Sequence, residues 1–402
     1  MTTRTVPVPP AVGDPNALAR LVDALDGKAD GVRYIGGWVR DTLLGLSPQD
    51  IDVATRLAPE EVERRARAAR LGTWTSASGI AHGTVGVVID GKTIEVTTLR
   101  RDVATDGRHA TVAFTEDWRE DAARRDFTIN ALSADPLTGA VHDYFGGLDD
   151  LAAGRVRFIG EPLQRIAEDH LRILRFFRFH ARFGRGAPDA DSYAACVERA
   201  RDLMALSRER IAAELLKLFA LSDPVATVKA MLDGGLFEPV LPEIVDAELL
   251  EALVQTEREA GIAPDGLRRF AALLPRSPTI AEQVAARLRL SKADRRRLVL
   301  ASDPDISGEA EALAYTVGAE AAVDRLLLAG EAVAAKRVNG WQRPPFPISG
   351  GDLIALGLAP GPAVAATLRA VEQRWVEAGF PDEMTLADFA REAVRTVLGT
   401  AE

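Results

Sequence analysis

Apolar positions in residues 16–156 alternate between the two-residue period of strands and the wider spacing of helices. The segment NALARLVDALDG predicts a helix, whereas VRYIGG and DIDVA predict strands. In GTVGVVIDGKTIEVTTL, Asp90-Gly91 lies between two runs rich in β-branched residues, which indicates a β-hairpin. This part of the chain is therefore expected to combine a sheet with helices.

After about Phe158 the strand signals fade. Segments such as AEDHLRILRFFRFHARFG and SRERIAAELLKLFALS carry apolar residues at helical spacing. The proline-rich stretch NGWQRPPFPISGGD, near 339–352, is typical of a hinge before a last helical module. The sequence thus predicts an α+β fold, with a sheet-containing first part and an all-α remainder.

Composition narrows the class of protein. The chain has 402 residues, which favours several domains, and its formal net charge is −10, so any contact with nucleic acid must use local basic patches. A single cysteine, Cys196, excludes an internal disulfide and a thiolate zinc site. The polar, proline-rich start and the lack of long apolar windows predict a cytoplasmic protein with no membrane span.

The stretch GGWVRDTLLGLSPQDIDVA brings together the residue types that handle phosphate and metal. Gly36 and Gly37 precede a helix expected near Trp38, so backbone amides can approach a phosphate, and Arg40 adds a guanidinium donor. Asp50 and Asp52, two apart on a strand, face the same side and can hold divalent cations. Alternatively, this is a Gly-Gly turn followed by a loop whose aspartates cap a helix.

The strand TIEVTTL offers a third carboxylate. Thr93, Glu95 and Thr97 share one face of the expected strand. Glu95 can therefore approach the aspartate pair as a further catalytic group, or it is a solvated glutamate on the sheet surface.

Two arginine-containing segments follow. RRDFTINAL is expected to enter a helix, with Arg125 available to phosphate or sugar oxygens and Asp126 orienting it; a surface salt bridge is the alternative. In EDHLRILRFFR, a continuous helix would make Asp169 and Arg172 neighbours that can match a nucleobase edge. The alternative is an ordinary pair between Glu168 and Arg172.

Basic residues also cluster in RFHARFGR and in RLRLSKADRRRL, residues 287–298. On an acidic chain these are the expected surfaces for a nucleic-acid backbone, unless they are only solvated helix faces.

This ordered set of motifs resembles the class II tRNA nucleotidyltransferase and bacterial poly(A) polymerase family of the polymerase-β superfamily. The resemblance runs over most of the chain, through GGWVRD with DID, RRDFTINAL, DYFGGLDDL, EDHLRILRFFRF and RERIAAELLKL. GIAHGTVGVVIDGKTIEVTTLR and FPISGGDLIALGLAPGP look more like the CCA-adding branch than the poly(A) polymerases.

The resemblance implies a polymerase-β-like nucleotidyltransferase head with a mixed or antiparallel sheet, followed by helical neck, body and tail regions. The expected boundaries are 1–156 for the head, 157–220 for the neck, 221–338 for the body and 339–402 for the tail.

The resemblance also implies residue roles. Asp50 and Asp52 would bind Mg²⁺, the cofactor of the family. The nucleotide would contact a set of glycines and arginines: Gly36, Gly37, Arg40, Arg125, Arg175 and Arg178. Asp169 and Arg172 would read the Watson-Crick edge of CTP or ATP.

The implied reaction is template-independent addition of CCA to the 3′ end of tRNA, with release of pyrophosphate and no protein partner. Residues 101–114 are similar to the loop of family members that add the terminal A. Partial addition of CC or A alone, poly(A) synthesis, and a non-catalytic RNA-binding protein remain the alternatives.

Overall fold

The computed structural model of the chain describes residues 4–8, 14–48, 50–105 and 110–399. Its strands form a seven-stranded sheet and a two-stranded ribbon. They are β1 Val32–Ile35, β2 Asp52–Thr55, β3 Gly72–Trp74, β4 Thr84–Ile89, β5 Lys92–Thr98, β6 Arg100–Thr105, β7 Ala110–Phe114, β8 Ser133–Ala134 and β9 Val141–His142.

The larger sheet has the strand order β3-β4-β5-β2-β1-β8-β9. Neighbouring strands are antiparallel except β2 and β5, which run parallel. The predicted hairpin is confirmed, since β4 and β5 are joined by Asp90 and Gly91 at φ values of 51° and 71°. Positive φ at both central residues is what a type I′ hairpin turn requires.

One face of this sheet is apolar and the other carries the polar side chains. On the apolar face Val85 pairs with Val96 and Val87 with Ile94, and all four are buried. Side chains alternate along a strand, so Glu95 lies on the opposite, more exposed face. The predicted alternation in TIEVTTL is therefore confirmed.

Along the chain, helices precede, separate and follow these strands. α1 starts after Asp14, whose side chain accepts a hydrogen bond from the amide of Asn16 at 2.9 Å. The helices up to residue 153 are α1 Pro15–Ala24, α2 Gly37–Leu43, α3 Pro59–Ala68, α4 Ala77–Ala81, α5 Trp118–Ala123 and α6 Gly147–Ala153, with 3₁₀ turns at Gly27–Ala29 and Thr128–Asn130.

After residue 157 the described chain is helical, so the predicted α+β class is confirmed. Its elements are α7 Pro162–Glu168, α8 Arg172–Phe183, α9 Ala190–Glu198, a 3₁₀ turn Ala200–Ala205, α10 Arg208–Phe219, α11 Val225–Asp233, α12 Glu248–Ala260, α13 Gly266–Leu273, α14 Pro278–Arg287, α15 Lys292–Ala301, α16 Ala310–Val317, α17 Ala319–Leu328, α18 Ala332–Val338, α19 Gly350–Ala355, α20 Pro362–Glu377 and α21 Glu383–Gly399.

An aromatic cluster anchors α8 beside the strands. Phe176 is fully buried and its ring centroid lies 5.7 Å from that of Phe158. Phe127 packs on Phe158 at 5.0 Å and on Phe179 at 5.2 Å. Such contacts add to the stabilisation from burial alone. They fix the helix that carries Arg172, Arg175 and Arg178.

The chain divides into two compact units, Met1–Glu214 with Asp233–Val240, and Leu215–Leu232 with Leu241–Glu402. The second unit has an apolar cluster around Tyr315, Leu353 and Trp375. The boundaries expected at residues 156, 220 and 338 stay predictions. Within the part of the chain that the structure describes, no helix has the length and apolarity needed to cross a membrane.

Candidate active site

Two arginine side chains lie close to the glycine turn that follows β1. Gly36 has a φ of 65°, a backbone conformation that residues with a side chain rarely adopt. Gly37 begins α2, as predicted. A Cβ on Gly36 would lie 3.1 Å from Nη1 of Arg125, and one on Gly37 would lie 3.5 Å from Nη2 of Arg40. Because neither glycine has a side chain, the guanidinium groups of Arg125 and Arg40 can lie close to the backbone of this turn.

Arg40 is buried and held from several sides. Its Nε donates to Oδ1 of Asp41 at 2.7 Å, and its Nη1 donates to Oδ1 of Asn130. Its guanidinium also lies 4.2 Å from the ring centroid of Phe183. Burial lowers the pKa of Arg40, while Asp41 opposes this shift, so the guanidinium stays charged. Arg40 is thus a preoriented positive charge beside the glycine turn.

Arg125 is held by an acidic residue that the sequence did not single out. Its Nη2 lies 3.3 Å from Oδ2 of Asp121, and its Nη1 donates to the carbonyl of Asn130 at 3.4 Å. Burial alone would raise the pKa of Asp121, but the charges of Arg125 and Arg124 hold it below its ordinary value. The carboxylate of Asp121 therefore stays ionised and keeps Arg125 near Gly36.

The structure brings Asp52 and Glu95 together. They are register partners on the parallel strands β2 and β5, and both are exposed on the polar face of the sheet. Reduced hydration raises the pKa of Asp52, and the charges of Glu95 and Asp50 raise it further, while Arg125 lowers it. This site therefore concentrates negative charge.

The prediction that Asp50 and Asp52 share a strand is wrong, because strand pairing begins at Asp52. Asp50 lies in the loop before β2. Asp50 still influences the pKa of Asp52, so the two carboxylates remain close enough to interact.

These carboxylates are hard oxygen donors of the kind that divalent cations prefer. The charges of Glu95 and Asp50 repel that of Asp52, and a bound cation would offset this repulsion. Within residues 4–8, 14–48, 50–105 and 110–399, no group of three or more His, Cys, Asp or Glu side chains is already arranged to enclose an ion. The residues present fit an open site with two or more carboxylates and further positions for substrate.

The predicted helix over RRDFTINAL is wrong, since α5 ends at Ala123 and only a 3₁₀ turn follows. Oδ1 of Asp126 accepts the amide of Phe127 at 2.9 Å, a local bond that competes with helix formation. Phe127 is extended and bridges to Phe158.

Asp126 does not pair with Arg125 as expected; it pairs with Arg175, whose Nη2 lies 2.5 Å from Oδ2. Asn130 donates to Oδ1 of Asp126 at 2.9 Å and accepts from Arg40. Burial opposes ionisation of Asp126, but Arg175 and Asn130 hold its pKa below the ordinary value. A relay Arg40–Asn130–Asp126–Arg175 therefore connects two of the predicted nucleotide contacts.

The continuous helix expected through Asp169 and Arg172 is interrupted. α7 ends at Glu168, and Asp169 is extended, with its side chain accepting the amide of Leu171 at 3.1 Å. Arg172 is the first residue of α8 and pairs with Glu168 at 2.5 Å, which was the alternative reading of this motif. Asp169 instead accepts from Nη2 of Arg210, at 3.1 Å to each of its oxygens.

Arg175 and Arg178, three residues apart on α8, are neighbours on the helix surface. Both guanidinium groups lie beside the ring of Phe179, at 5.3 Å and 4.6 Å from its centroid, and Arg40 lies at 5.2 Å. Arg178 also donates to Oε2 of Glu214 at 2.6 Å. Three of the predicted nucleotide-binding arginines therefore lie around the ring of Phe179.

Other predicted features have mixed outcomes. In the basic stretch 287–298, Arg287, Arg295 and Arg297 all form ion pairs with acidic residues, which reduces its value as a phosphate surface. The loop 101–114 begins and ends in the ribbon β6–β7, and its residues 106–109 lie outside the described residues. Cys196 is buried, and burial raises its pKa, as expected for an inert thiol.

Sequence reasoning missed the residues that hold the site: Asp41, Asp121, Asn130, Phe179, Arg210 and Glu214. Asp41, Asp121 and Asn130 lie close in sequence to Arg40, Arg125 and Asp126, and their spacing of one or four residues is a local signal. Arg210 and Glu214 act over long sequence separations, and a single sequence does not reveal such pairs.

Comparisons with known proteins agree with this arrangement. Residues 32–157 match the family model described as Poly A polymerase head domain. Residues 187–248 match the model described as Probable RNA and SrmB- binding site of polymerase A.

Two curated relatives match most of the chain. The CCA tRNA nucleotidyltransferase 1, mitochondrial, of Mus musculus is 34% identical over 375 residues, covering 87% of this chain and 83% of the relative. The CCA-adding enzyme of Lacticaseibacillus paracasei is 32% identical over 371 residues, covering 87% and 89%.

Among solved structures, the Bacillus stearothermophilus CCA-adding enzyme in complex with CTP matches with a TM-score of 0.72 and 26% identity, covering 96% of this chain and 99% of that one. The Thermotoga maritima CCA-adding enzyme complexed with tRNA has a TM-score of 0.68 at 20% identity, covering 97% and 96%, and so shares the fold. With relatives at this identity over more than four fifths of their length, the chain belongs to the family of CCA tRNA nucleotidyltransferases, or CCA-adding enzymes.

Proposed function

We propose that this protein adds C, C and A to the 3′ end of tRNA, from CTP and ATP, without a nucleic-acid template. The observation that carries the proposal is the register of Asp52 with Glu95 beside a glycine turn flanked by Arg40 and Arg125. Paired carboxylates next to phosphate-binding groups are the parts that nucleotidyl transfer needs.

The arginines and the glycine turn supply the triphosphate site in this proposal. Arg40 and Arg125 converge on Gly36 and Gly37, where the backbone is open to a ligand. Their fixed charges neutralise the phosphates of CTP or ATP and stabilise the departing pyrophosphate. Because Asp41, Asn130 and Asp121 hold them in place, little reorganisation is needed when the nucleotide binds.

Members of this family generally use divalent metal ions. We propose Mg²⁺ for this chain, with Asp50 and Asp52 as ligands and Glu95 as a further catalytic carboxylate. The ion would supply charge neutralisation at the reacting phosphate and lower the pKa of the attacking 3′-hydroxyl. Asp52 on β2 and Asp50 in the loop before it would supply the negative charge that holds the ion.

Asp169 and Arg172 are the proposed readers of the nucleobase, with Arg175 and Arg178 assisting. Arg172 already donates to the carbonyls of Arg165 and Arg124 at 2.8 and 3.1 Å. Reading a base requires Arg172 and Asp169 to exchange some of these partners, and the pairs with Glu168 and Arg210, for base atoms. The proposal therefore includes a rearrangement at the α7–α8 break.

The direct test is incorporation of labelled nucleotide into tRNAs that lack A, CA or CCA. We expect CMP and AMP to be added in order, and only until CCA is complete. Asp52→Asn should abolish addition with Mg²⁺ present, whereas Asp23→Asn, the same change at an exposed position of α1, should not. Retained activity in Asp52→Asn would contradict the metal-ligand role.

The same assay separates the alternatives. Long A tails made from ATP alone on unrelated RNA would indicate a poly(A) polymerase. Tight tRNA binding without incorporation of any nucleotide would indicate a non-catalytic RNA-binding protein.

A further inference from the structure

Beyond the proposed metal ligands, the polar face of the sheet carries a row of four residues in register. Trp74 on β3 is opposite Gly86 on β4, Gly86 is opposite Glu95 on β5, and Glu95 is opposite Asp52 on β2. Register partners point to the same face of a sheet. Strands are spaced by about 4.8 Å, so Trp74 lies two strands, about 10 Å, from Glu95.

The indole of Trp74 lies flat over the glycine in this row. A Cβ on Gly86 would be 2.4 Å from Nε1 and 2.6 Å from Cε2 of the ring, so only glycine leaves room for it. Nε1 also donates to Oγ1 of Thr93 at 3.3 Å, which directs the ring towards β5. One ring face is thus supported by the backbone, while 51% of the residue is exposed to solvent.

The strand order places this ring on one particular side of the reaction. Gly36 and Gly37 follow β1, which lies on the side of β2 away from β5. The attacking and leaving oxygens of a phosphoryl transfer are roughly in line. With the triphosphate at the β1 side, the 3′-hydroxyl of the RNA must approach from the β5 side, where Trp74 lies.

The geometry points to Trp74 as a stacking platform for a base at the 3′ end of the RNA acceptor. This inference rests on the proposed function. Each addition of C or A changes the last base of the RNA, so a group that holds this end must accept different bases. An aromatic face does so, because every base has a π-face to stack on it.

The test is a steady-state comparison on tRNA lacking CCA, with the wild-type protein, Trp74→Ala and Trp74→Phe. Loss of stacking should raise the KM for tRNA by about 5- to 100-fold in Trp74→Ala. The KM for CTP should not change, and Trp74→Phe should keep most of the affinity. A merely structural role would not affect the two KM values differently.

Two further variants sharpen the result. Gly86→Ala should also raise the KM for tRNA, because the added methyl group displaces the ring while the tryptophan remains. Val88→Ala, at an exposed position on the same face of β4, is the matched control and should behave as wild type. Unfolding curves of all variants identify any that fail to fold.

A measurement of tRNA binding tests the inference about Trp74 even if the proposed function is wrong. Tryptophan fluorescence should be quenched by tRNA in the wild type, and this part of the signal should be missing in Trp74→Phe. If the wild type adds no nucleotide, the proposed function fails, while the quenching still reports on Trp74. An unchanged KM for tRNA in Trp74→Ala, a rise in the KM for CTP instead, or quenching that does not depend on Trp74 would each overturn the inference.

Discussion

The carboxylate of Asp52 is disfavoured in the metal-free protein. Reduced hydration and the charges of Glu95 and Asp50 raise its pKa above the ordinary value of 3.8. A carboxyl group with a raised pKa in the folded state costs stability once it ionises, so the cost is present at neutral pH. It vanishes when the pH falls below the ordinary value, because the group is then protonated in both states.

We therefore expect Asp52→Asn to stabilise the metal-free protein at pH 7, by about 1 kcal/mol or less because the side chain is exposed. At a pH below 3.8 the difference from wild type should disappear. Mg²⁺ should raise the Tm of the wild type but not of the variant. Thermal unfolding in EDTA and in Mg²⁺ measures both effects, and a variant less stable than wild type at pH 7 would contradict the argument.

Asn130 connects Arg40 to Asp126, so its loss should affect both folding and nucleotide binding. Asn130→Leu leaves two buried charged groups short of a partner, which should cost about 1–3 kcal/mol of unfolding free energy. Because Arg40 loses its orientation, the KM for CTP and ATP should rise more than the KM for tRNA. Urea unfolding and steady-state kinetics measure these effects, with Asn16→Ala, at an exposed position of α1, as the control. Equal changes in all KM values would argue against a positioning role.

The sequence identified the residues whose chemistry is local. Gly36, Arg40 and Asp52 stand in short motifs, and the structure pairs Asp52 in register with Glu95. Of the supporting pairs, that of Asp126 could not be predicted, because its partner Arg175 lies 49 positions away. Only tertiary folding brings such residues into contact.

Among the elements, the β4–β5 hairpin was predictable because two residues determine its turn. Gly91 has a φ of 71°, so Gly91→Ala should destabilise the protein by about 1–2 kcal/mol. Asp90→Gly, in the same turn, is the control, since glycine accepts the φ of 51° at that position without strain. Chemical denaturation should separate the two variants; equal stability would show that the turn does not limit the hairpin.

The helix ends around the site were not predictable from periodicity. Apolar spacing continues through RRDFTINAL and EDHLRILRFFR, yet the helices stop at Ala123 and Glu168. In both places an aspartate, Asp126 or Asp169, accepts a nearby backbone amide. This local competition ends a helix without a glycine or proline to mark it.

At the scale of the whole molecule, several arginines are buried in the interior instead of presenting charge at the surface. The chain has a net charge of −10, and its second unit buries Arg268 and Arg269 against Glu257 and Asp324. Buried charges are tolerated only when they are paired and hydrogen-bonded. Counting basic residues along the sequence therefore overestimates the surface available to nucleic acid, as the paired stretch 287–298 illustrates.

This buried network makes the second unit dependent on one carboxylate. Oε1 and Oε2 of Glu257 accept from Nε of Arg268 and Arg269 at 2.7 and 2.8 Å. Glu257→Ala leaves two buried guanidinium groups without this carboxylate, which should lower the free energy of unfolding by about 3–5 kcal/mol. The control is Glu251→Ala, on α12 like Glu257, which removes an exposed ion pair with Lys229 and should lower the free energy of unfolding by less than about 1 kcal/mol.

Hydrogen exchange measured by mass spectrometry locates the damage, because the two units are separate compact bodies. In Glu257→Ala, protection should fall in the helices α12 to α18, where the network lies, and persist in β4, β5 and α8. The pair Lys229–Glu251 lies on the surface of the same unit, so its variant should leave both patterns intact. If Glu257→Ala lost protection equally in the sheet, the two units would unfold as one, and a purely local role for the buried ion pairs would be wrong.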